Sequence, residues 1–413
     1  MPSYDVTVVG AGPAGSVAAY EMAIAGFRTL LLEKFPLPRD KPCGGAVMYR
    51  GLRLLRGEMP RRLVERPIYG LRFTLPDGNK AEFVSHKLLG VTTNRATFDE
   101  FLARRAERAG AELLENVRVV GVKTTSDVAY VQAEDNRVFE SQFVIGADGV
   151  NSIVSRSVGL RPERKDLTRI GLGMESDVYV GESKVLEAFR GNPTVLEIRP
   201  VEGRVSYGWI FPKREHLGIG IAGAGVHMHP LRPIFDRFVE TLEGELGFSL
   251  PVEKRRTYFL GADGLLHANV KDRVMLVGDA AGFVDPMMGE GIAYAMRSSI
   301  HATRVLKTAL TSGHYDAEFL SRYHGLCERE FGANFRMASR VGLRGTGFAE
   351  SVLTKASRLD FASEIMARVA RGEMGYSDIP VVALAMLPRR IPRLIRDYLL
   401  SVTSSAKPRK NRT

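Results

Sequence analysis

Tyr4-Asp5-Val6-Thr7-Val8-Val9-Gly10-Ala11-Gly12-Pro13-Ala14-Gly15 reads as a buried parallel strand that turns on glycine straight into a helix. The helical pattern runs from Ala14 to Ala25 and ends at Gly26, a C-cap residue, and Thr29 to Leu32 is a second short apolar strand. The unit is therefore βαβ, which opens a doubly wound α/β sheet. The three glycines meet different demands. Gly10 permits the tight turn, Gly12 lets a pyrophosphate approach the backbone, and Gly15 lets helix and strand pack closely. Glu33 closes the second strand 18 residues after Gly15, where a carboxylate can bind ribose hydroxyls and disfavours a 2′-phosphate. The ligand expected here is an adenosine-type dinucleotide.

Working outward, Ala96 to Ala109 reads as an amphipathic helix, followed by strands near Val117–Lys123, Ala129–Glu134 and Phe143–Ile145. Residues 170–262 carry β-type alternation with turn glycines. Arg273–Val277 returns to a buried strand, a helix starts near Gly291, and the pattern is helical from Tyr315 onward. The fold class expected is α/β, a Rossmann-type nucleotide-binding domain interrupted by a mostly β substrate domain, with a C-terminal helical region. The nucleotide domain takes residues 1–70, 95–168 and 265–325, the substrate domain 71–94 and 169–264, and the helical region 326–413. Gly218-Ile219-Gly220-Ile221-Ala222-Gly223 also fits the glycine pattern, but it alternates like a strand and opens no helix, so no second nucleotide unit is expected. Gly-Ala-Asp-Gly occurs twice, at 146–149 and 261–264. Only the first follows a clear β-branched run, and Asp263 reads as a turn residue.

With 45% hydrophobic and 25% charged residues among 413, disorder, collagen and coiled coil are excluded. Cys43 and Cys327 are the only cysteines, which suits a reducing compartment. No apolar run reaches the roughly 20 residues that span a bilayer. The start carries Asp5 and lacks a basic n-region, so no signal peptide is expected there. No metal site is expected, because the two cysteines and eight histidines show no ligand spacing and His227-Met228-His229 reads as a surface strand feature.

The net charge of +11 is local. Between Pro388 and Thr413, eight basic residues (Arg389, Arg390, Arg393, Arg396, Lys407, Arg409, Lys410, Arg412) face one acidic residue, Asp397, giving the tail +7. Nucleic acid is therefore not an expected partner. Ile391, Leu394, Ile395, Tyr398 and Leu399 form one helical stripe with the arginines off it, a basic amphipathic helix. Such a helix either lies in an anionic membrane surface or docks on the protein's own body. The apolar run Ile379–Leu387 is a companion surface, and disorder is expected from about Ser404.

Three markers in order resemble flavoproteins of the p-hydroxybenzoate hydroxylase class: the first glycine motif, Phe143-Val144-Ile145-Gly146-Ala147-Asp148-Gly149, and Val277-Gly278-Asp279-Ala280-Ala281-Gly282. That resemblance implies FAD, with Asp279 on its ribitol or pyrophosphate. Narrower markers resemble the geranylgeranyl reductases: the Lys-x-Cys-Gly-Gly loop in Pro38–Gly45, the Tyr-x-Trp-x-Phe-Pro signature at Tyr207–Pro212, and Pro286-Met287-Met288-Gly289-Glu290-Gly291 beside the isoalloxazine. Arg95 is carried over as a flavin contact. The implied cofactor-binding residues are Gly10, Gly12, Ala14, Gly15, Glu33, Lys34, Cys43, Gly44, Gly45, Arg95, Val119, Asp148, Gly149, Gly278, Asp279, Pro286, Gly289, Gly291 and Ile292. One departure stands at Gly264-Leu265-Leu266-His267, where relatives carry a Gly-x-Ile/Leu-Pro segment.

The implied activity is saturation of isolated double bonds in geranylgeranyl chains, of archaeal-type ether lipids or of diphosphate or pigment esters. Hydride comes from reduced FAD and a proton from a nearby acid. Tyr207, Trp209 and Phe211 alternate onto one sheet face and, with Pro212, form the substrate pocket or, alternatively, a plain core face. Cys43 either relays the proton or serves close packing. The electron donor is NAD(P)H docking transiently, a ferredoxin or another reduced carrier. The expected location is cytoplasmic, peripheral on the cytoplasmic membrane face. A competing reading is an FAD-dependent aromatic or lipid monooxygenase of the same fold; the halogenase motif Trp-x-Trp-x-Ile-Pro lacks its first Trp here. A non-catalytic lipid-binding protein is a third.

Overall fold

In a computed structural model, which describes residues 3–57, 59–74, 78–161, 170–201, 206–342 and 361–386, Tyr4–Val9 lies inside an eight-stranded sheet. Val138–Gly146 and Thr29–Leu32 flank it in parallel, and Val274–Leu276 and Glu112–Leu114 extend the parallel run on either side. Val6 and Val8 have no exposed surface, as a strand covered on both faces requires. Helix Pro13–Ala23 starts with proline at its first turn and packs against helices Arg95–Arg108 and Ile292–Ser312. Ser299 Oγ, on the last of these, donates to the Ala14 carbonyl at 2.8 Å. The C-terminal ends of these parallel strands deliver Gly10, Glu33, Asp148 and Asp279 to one crevice, where open α/β sheets bind ligands. The helix Arg95–Arg108 matches its expected span within a residue because Asn94 caps it, accepting the Ala96 N–H at 2.8 Å. Glu112–Leu114 is a parallel strand that its three residues are too short to announce.

A second, seven-stranded sheet runs in the order Arg256–Leu260, Gly171–Tyr179, His216–Ala224, Ser206–Pro212, Val195–Pro200, Gly70–Thr74 and Lys80–Val84. It is antiparallel except where Val195–Pro200 meets Gly70–Thr74. Ala46–Met48, Gly90–Thr92 and Arg66–Ile68 form a small third sheet. The segment 170–262 is mostly β, and within it lie two helices that the alternation does not reveal, Glu182–Ala188 and Leu231–Leu246. The longer one buries Ile234, Phe235, Phe238, Val239 and Leu242, a helical stripe, against one face of the sheet. Gly218–Gly223 is strand, as its alternation indicates.

The opposite face of that sheet carries the aromatic residues. Tyr207, Trp209 and Phe211 alternate along Ser206–Pro212, with ring centroids 6.0 Å apart at each step. Trp209 stands opposite Gly220, and a Cβ at Gly220 would lie 2.0 Å from the indole Cζ2. The strand glycine therefore lets the indole lie flat on the sheet. The C-terminal region supplies helices Ala333–Gly342, Ala362–Arg371 and Ile379–Met386, whereas the basic tail Pro388–Thr413 lies outside the described residues.

Gly220→Ala is expected to push Trp209 off the sheet and cost about 1–3 kcal/mol of stability, the range for overpacking a filled core. A urea titration showing a lower midpoint at unchanged slope would register this, and an unchanged midpoint would contradict it.

Candidate functional site

One cavity of about 1680 Å³ runs between the two large sheets, exceeding the roughly 300–1,000 Å³ that holds a single drug-sized ligand. It has room for a dinucleotide and a second, chain-like molecule together. Of the predicted residues, Gly10, Gly12, Ala14, Glu33, Lys34, Cys43, Gly44, Gly45, Arg95, Val119, Asp148, Gly149, Tyr207, Trp209, Phe211, Asp279, Pro286, Gly289, Gly291 and Ile292 form its wall. Gly15, Gly278 and Pro212 stand behind it. A Cβ at Gly15 would strike the Gly10 carbonyl at 1.8 Å, and Gly278, at φ +58°, lets Ala14 approach. Pro212 points to the sheet's other face, so it is not a pocket residue; its carbonyl accepts the Thr92 hydroxyl at 2.7 Å.

At the nucleotide end, Gly10 takes φ +100°, and a Cβ at Gly12 would meet nothing nearer than Arg39 Nη2 at 3.7 Å. The first N–H groups of helix Pro13–Ala23 face that open space without intrahelical acceptors, a cradle for a pyrophosphate. Glu33 is buried and accepts the Ala11 N–H at 3.0 Å and the Phe35 N–H at 3.2 Å. Arg39 joins it at 3.2 Å and reaches Asp99 at 3.1 Å, while Arg95 grips Asp99 through two bonds of 2.9 Å. A carboxylate with about four acceptor sites keeps capacity for ribose hydroxyls beyond these bonds. Asp148 accepts the Ile153 and Val154 N–H groups with one oxygen, and its other oxygen is buried in the wall without a hydrogen-bond partner among the described residues. The unsatisfied oxygen, the open Gly12 and the free helix N-terminus all fit an extended dinucleotide.

In the middle, the Cys43-Gly44-Gly45 loop rests on the aromatic strand. A Cβ at Gly44 would lie 2.7 Å from the Phe211 ring and 2.8 Å from Trp209 Nε1. Cys43 Sγ accepts the Gly45 N–H at 3.3 Å. Tyr207 donates its hydroxyl to the Met288 carbonyl at 2.9 Å, and burial pushes that phenol far up. In the next strands on the same sheet face, Glu175 has no exposed surface; burial raises its carboxyl to about 7 although Arg256 lies 3.0 Å away. Burial alone would raise Asp177 too, but His216, Lys213 and Arg256 together hold it low.

Beyond the aromatics, the cavity continues into an apolar lobe. Leu71, Phe73, Leu196 and Ile198 form one side, and Met366, Val369 and Ala370 of the C-terminal helix form the other. Sequence reasoning missed this second side, because helical spacing alone does not say what a stripe packs against. It also missed Glu290, which lines the cavity, meets Arg50 at 3.2 Å and is raised to about 7 by burial, Arg50 partly offsetting this. Asp285 accepts the Met287 and Met288 N–H groups at 2.8 and 2.9 Å, the Tyr294 hydroxyl at 3.3 Å and the Tyr376 hydroxyl at 3.0 Å. Asp263 pairs with Arg161 at 2.8 Å, and His267, at the point of departure from the relatives' pattern, is a wall residue whose Nε2 lies 3.3 Å from the Asp263 carboxylate. No cluster of three metal-ligating side chains occurs among the described residues.

Residues 3–335 match a family described as FAD binding domain. A digeranylgeranylglycerophospholipid reductase of Methanococcus vannielii is 31% identical over 334 residues, covering 78% of this chain and 81% of that one. Digeranylgeranylglycerophospholipid reductase 1 of Methanopyrus kandleri is 32% identical over 352 residues, covering 82% and 89%. Among solved structures, a geranylgeranyl bacteriochlorophyll reductase-like protein from Thermoplasma acidophilum superposes with a TM-score of 0.74 at 25% identity, covering 95% of this chain and 98% of that one.

The two raised carboxyls predict a pH dependence. Glu175 and Glu290 hold protons in the folded chain up to about pH 7, whereas unfolded glutamates release them near pH 4.3. The folded state binds more protons between these values, so stability is full below about pH 4.3 and falls as pH rises through about 7. Each carboxyl contributes on the order of 3 kcal/mol across that range. Melting temperatures between about pH 5 and 8 are expected to decline, and Glu175→Gln and Glu290→Gln each to flatten the decline. A wild-type melting temperature that does not change with pH would contradict this.

Proposed function

The chain belongs to the FAD binding domain family, in its geranylgeranyl reductase branch, and on that premise we propose that it is an FAD-dependent reductase saturating isolated double bonds of geranylgeranyl chains. The observation that carries this is the continuity of one cavity from the glycine cradle, past Cys43 and the Tyr207–Phe211 strip, into an apolar lobe closed by Met366, Val369 and Ala370. A dinucleotide and an isoprenoid chain are the pair of ligands this shape accepts. The names of the two methanogen relatives support a digeranylgeranyl glycerophospholipid as substrate.

Reduced FAD, when bound, supplies the hydride. Gly10, Gly12 and the start of helix Pro13–Ala23 would hold its pyrophosphate, Glu33 its ribose, and Asp279 its ribityl side. An isolated alkene offers no carbonyl to polarise, so the chain's own contribution is orientation and dryness. The neighbouring rings of Tyr207, Trp209 and Phe211 give the alkene a flat apolar bed, and the lobe beyond immobilises the rest of the isoprenoid. Cys43, whose Sγ accepts the Gly45 N–H, lies at the junction of the two compartments. It is the proposed proton source.

The protein is proposed to work on the cytoplasmic face of a membrane. Ile379 and Pro380 line the cavity, and their helix, Ile379–Met386, bears no polar side chain and exposes Val381 at 70%. The basic stretch from Arg389 follows directly in sequence, the charge that an anionic lipid surface attracts. No helix among the described residues is long and apolar enough to cross a membrane. Electrons are proposed to arrive from NAD(P)H, a ferredoxin or another external reduced carrier. Both cysteines are free, as a reducing compartment allows.

The deciding assay reduces the FAD-loaded protein chemically without oxygen, adds geranylgeranylated lipid and weighs the products. A gain of two mass units per double bond with flavin reoxidised is expected. A product heavier by one oxygen once O₂ is admitted would replace the reductase with a monooxygenase. In the same assay Cys43→Ser is expected to slow turnover by about 10²-fold or more, the range for losing a general acid. Unchanged turnover would remove Cys43 from the chemistry. Truncation after Pro388 is expected to weaken sedimentation with anionic liposomes, and equal sedimentation would end the membrane proposal.

A further inference from the structure

We infer that Lys41 is the cation that pairs with the negative charge the bound flavin acquires on reduction. The inference rests on FAD occupancy alone and not on the identity of the alkene, so its test needs no lipid.

The arginines of the cavity wall are spoken for: Arg39 by Glu33 and Asp99, Arg95 by Asp99, Arg50 by Glu290, Arg118 by Glu134 and Arg199 by Glu197. Lys34, at the nucleotide end, is exposed. Lys41 differs from all of these. It lines the cavity, and no hydrogen bond or ion pair reaches its ammonium among the described residues. The charged and titratable groups facing it are Asp279 from the turn after Val274–Leu276, Arg95 from the start of its helix, and Arg39 and Cys43 from its own loop. Asp279 attracts it but does not close to an ion pair, and its own carboxylate makes no hydrogen bond among the described residues. Burial lowers the ammonium's proton affinity, an effect that Asp279 offsets only in part.

Position selects which part of FAD that partner is. Arg39 is the cation beside Gly12, at the pyrophosphate cradle. Lys41 stands two residues further toward Cys43, at the flavin end, opposite Asp279. Both residues line the cavity, and a flavin with its ribityl chain would present an acceptor to Lys41 and hydroxyls to Asp279. The oxidised ring is neutral, and adding two electrons with a single proton leaves it anionic. An ammonium facing that anion across the cavity stabilises it by charge attraction.

The test is the midpoint potential of the FAD-loaded protein as a function of pH, in wild type, Lys41→Met and Lys41→Arg, alongside the Kd for oxidised FAD. Wild type is expected to change by about 30 mV per pH unit, one proton for two electrons, since a tenfold change is about 30 mV for a two-electron couple. Lys41→Met is expected to bind oxidised FAD within about threefold of wild type. Its reduction equilibrium falls tenfold or more, about 30 mV, and its slope steepens toward two protons. Lys41→Arg restores the shallow slope, which mere packing would not do. The inference is overturned by an unmoved potential and slope in Lys41→Met, or by Lys41→Arg behaving like Lys41→Met. It is equally overturned if Lys41→Met loses FAD while the potential of the residual complex is unmoved, which would assign Lys41 to the pyrophosphate. Lys41→Gln carries the same measurements should the methionine variant fold poorly.

Discussion

An indole ring laid between two glycines joins the halves of this protein. Trp209 sits flat against Gly220 in its own sheet, and Gly44 of the Cys43 loop closes over it from the nucleotide-binding side. Neither glycine tolerates a methyl group without moving the ring, so the spacing between the sheets at the centre of the cavity is set by the thickness of one aromatic layer. That thickness suits planar or chain-like ligands. The same layer fixes Cys43, because the thiol is adjacent to the residue that touches Trp209 and Phe211. The indole N–H finds no acceptor among the described residues, a cost of about 1–3 kcal/mol that a purely structural tryptophan would have been selected to avoid. A group bound beside it removes that cost.

Around this layer the fold places charges where packing would prefer none. Glu175, Arg256, Asp177 and Lys213 share the cavity side of the seven-stranded sheet, and Lys213 Nζ donates to the Thr93 carbonyl at 2.8 Å. Buried ionic groups of this kind seldom add stability over an apolar filling. What they do contribute is position: Lys213 ties the aromatic strand's end to the segment that precedes helix Arg95–Arg108, so sheet and helix cannot slide past each other.

Legibility in the sequence followed the range of the forces involved. The first glycine motif, Glu33 and Asp148 were readable because each answers a local demand, a sharp turn, a strand end or a helix start, and local demands leave fixed spacings. The aromatic strip was readable through period-two alternation, and the glycines at 218–223 through the same period. Helix Leu231–Leu246 was not, because its apolar stripe lies in a segment whose flanks alternate like strands. Arg39, Lys41 and Glu290 were passed over for another reason. Their roles depend on which charges the tertiary fold sets opposite them, and nothing in a neighbouring residue encodes that Asp99 satisfies Arg39 while no carboxylate satisfies Lys41.

The C-terminal wall shows how a long-range contact can become part of a flavin site. Tyr376, from a segment more than eighty residues downstream, hydrogen-bonds Asp285, and the same carboxylate holds the Met287 and Met288 N–H groups. Met288 in turn receives the Tyr207 hydroxyl through its carbonyl. One chain of hydrogen bonds therefore links the C-terminal region, the Pro286–Gly291 loop and the aromatic strip. Arg50 adds a second tie, bonding the Val369 carbonyl at 2.9 Å while pairing with Glu290. A molecule that separates helix Ala362–Arg371 from the sheet must strain these bonds, whereas one that fills the lobe at its existing width leaves them intact. The width of the lobe and the position of the loop are thus one constraint, and a slender, flexible hydrocarbon satisfies it more readily than a bulky ring system.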